Sequence, residues 1–170
     1  MNTKTVCLQG LLGGLLVTMA VGPLALPAMA QGTILFAQSF EGGNPGGDRC
    51  SVPLSKPGTR VQIVKFKDDP YDCRNDEYRY FKFVDVPSAT TVYFHSSLNC
   101  DSVQWRMGML TTKNPISTEW KAIQNIRDTA VGGILVPGVK KIDDNGGPDT
   151  DKGTLSCIEV YPAQLLPKKR

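Results

Sequence analysis

Histidine is nearly absent from this 170-residue chain: His95 is the only one, so every imidazole-dependent mechanism must run through it. No Gly-x-Ser-x-Gly stretch occurs, which removes the nucleophile elbow of the hydrolases. No Cys-x-x-Cys pair occurs either, and His95 stands at no ligand spacing from a cysteine, so the sequence writes no local zinc site. Asp85, Ser96, Ser97 and Asp101 lie near His95. Adjacent strand residues point to opposite faces, so the expectation is a polar histidine in a surface turn. The paired carboxylates Asp68-Asp69 and Asp143-Asp144 fall in turn-like contexts where exposure keeps a carboxyl ordinary. No catalytic residue and no cofactor are assigned, and the chain reads as a non-enzyme.

Charge is missing from the N-terminal stretch, where Lys4 is the only charged side chain before Glu41. Leu11 to Val21 forms an apolar centre short of the roughly 20 residues a membrane span needs. Pro23 and Pro27 break a helix, and Ala28-Met29-Ala30 supplies the small-x-small pattern of a signal peptidase site. Residues 1–30 are expected to be a signal peptide cleaved before Gln31. Residues 31–170 are then expected to be a single β domain with no stable membrane anchor, secreted or periplasmic. Neither a lipoprotein box nor a twin arginine is present. Losing Lys4 leaves 18 of the 19 Lys and Arg against 16 acids, close to neutral. That balance gives no pull toward nucleic acid or anionic lipid. The basic tail over residues 165–170, ending Lys168-Lys169-Arg170, reads as a frayed, solvated end.

Five cysteines are present, and Cys7 would leave with the leader. Cys50, Cys73, Cys100 and Cys157 remain, an even number that in an exported domain implies two disulfides, with three pairings possible. A mature chain of this size holds one domain with a real core.

What is plentiful is strand. Thr33 to Phe40, Arg60 to Phe66, Tyr78 to Val86, Thr90 to Phe94, Val103 to Leu110 and Leu155 to Tyr161 are short runs rich in β-branched and aromatic residues. The 17 Gly and 12 Pro fall chiefly between them, as turn residues should. Gly42 to Gly47 reads as a turn. Trp120, Ile123 and Ile126 suit a short helix, while Trp120, Ala122, Gln124 and Ile126 suit a strand, and period alone leaves that choice open. The pattern indicates an all-β sandwich. Tyr71, Tyr78, Tyr80, Phe81 and Phe83 interleave with Arg74, Arg79 and Lys82. That is the composition of a nucleic-acid or glycan platform, and also of a strand burying one face while its cations reach water. The second reading is the simpler, and Trp105 and Trp120 are read as core.

Phe40-Glu41-Gly42-Gly43-Asn44-Pro45-Gly46-Gly47 follows the order aromatic, Glu, tight turn, Asn, and Gly at the eighth place, with Pro45 in the second aromatic's position. Tyr93-Phe94-His95-Ser96-Ser97-Leu98-Asn99-Cys100 is a second, more divergent copy with Cys100 in the Gly place. In this the chain resembles the βγ-crystallins. The resemblance implies two Greek-key motifs packed as a βγ-crystallin-like sandwich. By the pseudo-symmetry of the motifs it also implies the pairing Cys50–Cys73 and Cys100–Cys157. If the eighth place demands positive φ, Cys100 is strained there.

The family's second signature, Asn/Asp-Asn/Asp-x-x-Ser/Thr-Ser, provides oxygen ligands for calcium. Asn75-Asp76-Glu77-Tyr78 begins it, but Arg79 and Tyr80 take the hydroxyl places. Asp151-Lys152-Gly153-Thr154-Leu155-Ser156 keeps the first acid and the last serine. Calcium wants six to eight oxygens, and Arg79, Lys152 and Leu155 offer none, so both family-type sites are expected to be dead. A separate set of candidate calcium ligands is Asp143, Asn145, Asp149 and Asp151. Their spacing fits neither the EF-hand loop nor the Gly-Gly-x-Gly-x-Asp roll, so a solvated acidic hairpin loop is the reading adopted.

Three functional classes follow. The first is a secreted non-enzymatic binding or structural protein, and the second, implied by the resemblance, is a secreted proteinase inhibitor or killer-toxin-like protein whose partner is a proteinase. A rigid exposed loop at Leu135-Val136-Pro137-Gly138-Val139-Lys140, or the stapled Lys67 to Cys73 segment, would serve the inhibitor. A secreted hydrolase is third and requires His95 or the acidic loop to line a pocket.

Overall fold

The protein is described from a computed structural model that covers residues 31–68, 70–101, 105–146 and 155–163. Its first half holds β1 (Thr33–Glu41), β2 (Asn44–Pro53), β3 (Gln62–Lys65) and β4 (Tyr80–Val84). The second half holds β5 (Thr91–His95), β6 (Arg106–Thr111) and β7 (Lys121–Ala122), which runs into α1 (Ile123–Asp128). It ends with β8 (Ile134–Val136), β9 (Val139–Asp144) and β10 (Cys157–Tyr161).

These strands form two antiparallel sheets, ordered β2-β1-β4-β7 and β3-β10-β5-β6-β9-β8. The order is informative. In the first half β2, β1 and β4 stay together while β3 crosses to the edge of the other sheet. In the second half β6, β5 and β10 stay together while β7 crosses back to flank β4. Each half therefore lends its third strand to its partner's sheet, and β8–β9 is a hairpin added beyond β6. Each sheet is built from strands of both halves.

Alternation sets which face is buried. Ile34 and Phe36 of β1, Val52 of β2, and Phe81 and Phe83 of β4 point inward from one sheet. Val64, Val92, Phe94, Met107, Met109, Ile158 and Val160 answer from the other, all at most 3% exposed. Phe94 touches both Phe36 and Phe81, with ring centroids 5.6 and 5.2 Å apart. Edge-on and tilted aromatic pairs of this kind add about 0.5–1.5 kcal/mol each beyond the area they bury.

Two disulfides close the halves, Cys50–Cys73 and Cys100–Cys157, the pairing the motif symmetry implies. Such bridges fit an oxidising, extracytoplasmic setting. Among the described residues no helix is long and apolar enough to cross a membrane.

The Gly42–Gly47 run differs from expectation. Only Gly42 and Gly43 form the turn, and β2 begins at Asn44, because two residues with φ of 57° and 85° suffice to reverse the chain. Gly47 (φ 67°) and Cys100 (φ 58°), eighth in the two opening motifs, both adopt the left-handed conformation. The Trp120 segment resolves into both alternatives in succession: β7, then α1, with Ile126 fully buried and Trp120 half-buried.

Candidate functional site

The outer face of the four-stranded sheet carries a groove of about 590 Å³. Because Ile34 and Phe36 face the core, Leu35 between them faces out. The register sets Leu35 between Ser51 on β2 and Lys82 on β4. One row along, Arg49 and Tyr80 flank Ala37. Trp120, entering β7 beside β4, closes one side and rests on Phe40 at 6.3 Å, which in turn rests on Tyr80 at 5.9 Å. Pro45, Tyr71, Phe36 and Cys50 complete the lining.

The charge is one-sided. Arg49 and Lys82 line the groove, and among the described residues no carboxylate does. The nearby Asp48 carboxylate is occupied by Arg74 Nη1 at 2.7 Å. Apolar and aromatic walls beside two cations are chemically suited to a ligand with a ring face and an anionic group. The aromatic segment thus divides between roles: Tyr78, Phe81 and Phe83 are core, while Tyr71 and Lys82 line the groove and Tyr80 supports it. Trp105 is core as expected, at 3% exposure; Trp120 is a wall of the groove. The sequence carried the residue types but not the fact that β2 lies beside β1, which brings Arg49 and Ser51 to the same face.

His95 is corrected. It ends β5 and is 1% exposed, rather than lying in a surface turn. Its Nδ1 lies 3.4 Å from the Asp101 carbonyl, and its Nε2 faces Glu159 Oε2 at 3.6 Å. Burial pushes the imidazole below its usual pKa, against the upward pull of the Glu159 carboxylate. Tyr161 hydroxyl donates to Glu159 Oε2 at 3.4 Å, and burial together with that carboxylate raises the phenol. A ring so enclosed has no face open to a substrate.

Asp143 and Asn145 are engaged in structure. The Asp143 carboxylate accepts from Arg106 Nε and Nη2 at 2.7 and 2.6 Å, and Asn145 Oδ1 accepts the Arg106 backbone N–H at 2.6 Å. Asp149 and Asp151 lie outside the described residues. Asp76, 80 positions from Ser156 in sequence, accepts its hydroxyl at 2.8 Å and the Asn75 amide at 2.7 Å. Arg79 is exposed and Leu155 fully buried.

The inhibitor loops part company. Leu135 to Lys140 is not an open loop but the β8–β9 hairpin. Its Gly138 is buried with φ 98°, and a Cβ there would strike Ile116 Cδ1. The Lys67 to Cys73 segment is stapled through Cys73, with Lys67, Asp68, Pro70 and Asp72 exposed and Asp69 outside the described residues.

Comparison of this chain with protein-family models, curated proteins and solved structures finds no match.

Proposed function

We propose that the protein is an exported, non-enzymatic binding protein of βγ-crystallin-like build. Its ligand seat is the groove on the outer face of the four-stranded sheet. The reciprocal exchange of β3 and β7, and the left-handed backbone shared by Gly47 and Cys100, support the βγ-crystallin-like reading. Export rests on the N-terminal leader pattern and the two disulfides. The intact mass of exported material is expected to begin at Gln31, and a mass retaining Met1 to Ala30 would overturn that part.

The observation that carries the binding reading is the one-sided charge of an aromatic-walled groove. Its ligand class is an anionic group attached to an apolar ring face, as in an acidic sugar or an aromatic carboxylate. Titration calorimetry with a short oligogalacturonate and with a naphthoate separates those two sources. Whichever binds, Trp120→Ala and Lys82→Ala are each expected to weaken it about tenfold, the loss of about 1–2 kcal/mol that one stacking face or one charge contact supplies. A neutral oligosaccharide binding as tightly, or variants that bind unchanged, would refute the assignment.

A proteinase inhibitor is the second reading, favoured by the stapled Lys67 to Cys73 segment. Stoichiometric inhibition of a secreted metallo- or serine proteinase, lost on Pro70→Gly, is the expected result for it.

A further inference from the structure

Strand register brings together three side chains that local spacing keeps apart. Cys157 on β10 sits directly opposite His95 on β5, and Glu159 is two residues along on the same face of β10. Cys100 returns from the turn after β5 to bond Cys157. As a result His95, Cys100 and Glu159 each place one ligand atom within 4.8 Å of the others.

The buried Nε2 of His95 lacks a hydrogen-bond partner. In the tautomer whose Nδ1–H donates toward the Asp101 carbonyl, the ring's lone pair rests on Nε2. That atom is buried, makes no hydrogen bond, and faces a carboxylate oxygen at 3.6 Å. In that tautomer two acceptors face one another, an arrangement a cation between them would satisfy. A tetrahedral zinc with ligands at about 2.1 Å spaces neighbouring donor atoms about 3.4 Å apart, close to this separation. The third atom, Cys100 Sγ, is held in the disulfide, where it is a poor ligand.

We propose that this is a redox-gated zinc site: opening the Cys100–Cys157 bridge frees a thiolate that completes a His95–Cys100–Glu159 ligand set. A dithiol reductant delivers two electrons to the S–S bond and closes to its own disulfide. Its two protons pass to Cys100 and Cys157, and zinc then displaces the Cys100 proton to solvent. The fourth position is left for water or the released Cys157. Glu159 is the most exposed of the three, and metal enters from its side, along the outer face of the six-stranded sheet.

The test uses Cys157→Ser, which frees Cys100 without reductant while Cys50–Cys73 stays closed. Cobalt, a spectroscopic stand-in for zinc, is expected to bind one-to-one with a thiolate-to-metal charge-transfer band, and zinc is expected to displace it. The band should vanish in Cys100→Ser/Cys157→Ser, which lacks the same disulfide, and affinity should fall at least tenfold with His95→Ala or Glu159→Gln added to Cys157→Ser. The oxidised wild type should show no band. Should Cys157→Ser fail to fold alone, zinc-dependent recovery of its far-ultraviolet circular dichroism, absent in the double variant, reads the same site. A folded Cys157→Ser protein without the band, a band indifferent to His95 and Glu159, or no recovery with zinc would overturn the proposal.

Discussion

Removing both disulfides is expected to lower the unfolding free energy by about 7.5 kcal/mol, enough to leave the domain at or below the margin of folding. The bridges span 23 and 57 residues, and the loop-entropy relation gives about 3.5 and about 4 kcal/mol for loops of those lengths. Each works against the same weakness. The strands that pair in this fold are distant in sequence, as β3 and β10 are, so the unfolded chain has much freedom to lose. Denaturant unfolding of wild type against a variant with all four cysteines changed to alanine checks this. A combined loss under about 2 kcal/mol would mean that the sandwich holds itself without the staples. The single opening of Cys100–Cys157 should cost about 4 kcal/mol and leave a folded protein.

Asp144→Asn is expected to cost about 3 kcal/mol, far more than a surface ion pair, because it strands a buried cation. Lys141 on β9 is 2% exposed, and its ammonium donates to Asp144 Oδ2 at 2.6 Å and to the Arg127 carbonyl at 3.1 Å. Asp144 itself keeps 22% of its side chain in water, so the reverse change, Lys141→Met, should cost less. That asymmetry separates a buried cation with a surface partner from an ordinary surface pair. Burial alone would push the Asp144 carboxyl up. The hydrogen bonds from Lys141 and the Gly146 N–H, with the charges of Lys141 and Arg127, outweigh burial and hold it below its ordinary value. A carboxyl lowered on folding stabilises the native state above its unfolded pKa, and that contribution is lost as pH falls through the folded value. The gap between wild type and Asp144→Asn should therefore be full at neutral pH and shrink in acid. Chemical unfolding at both pH values checks the sign, and a gap that widens in acid would contradict it.

Strands with a strong alternating or aromatic signal were legible. Tyr80–Val84 and Cys157–Tyr161 fall inside the runs that the residue pattern picks out, and Thr91–His95 overruns its run, Thr90 to Phe94, by one residue. β2 was hidden because Asn44, Pro45, Gly46 and Gly47 carry turn chemistry into a strand held in place by its partner β1. The β8–β9 hairpin read as loop for the same reason, with Pro137 and Gly138 at its turn. His95 was misplaced for a different one. Spacing along the chain says nothing of the neighbour across a ladder, and the register that sets Cys157 opposite His95 joins positions 62 apart. The groove was legible in its parts only. Lys82 and the aromatics invite a binding surface, but which of them face out depends on β1 lying between β2 and β4 with Trp120 crossing over from the other motif.

The most direct measurement is an amide chemical-shift map of the ¹⁵N-labelled protein titrated with whichever of the oligogalacturonate or the naphthoate binds. The account predicts shifts concentrated at Leu35, Arg49, Ser51, Lys82 and Trp120, with Thr91–His95 and Cys157–Tyr161 on the other sheet unmoved. Shifts centred on that second sheet or on Lys67 to Cys73, or binding by neither compound, would contradict it.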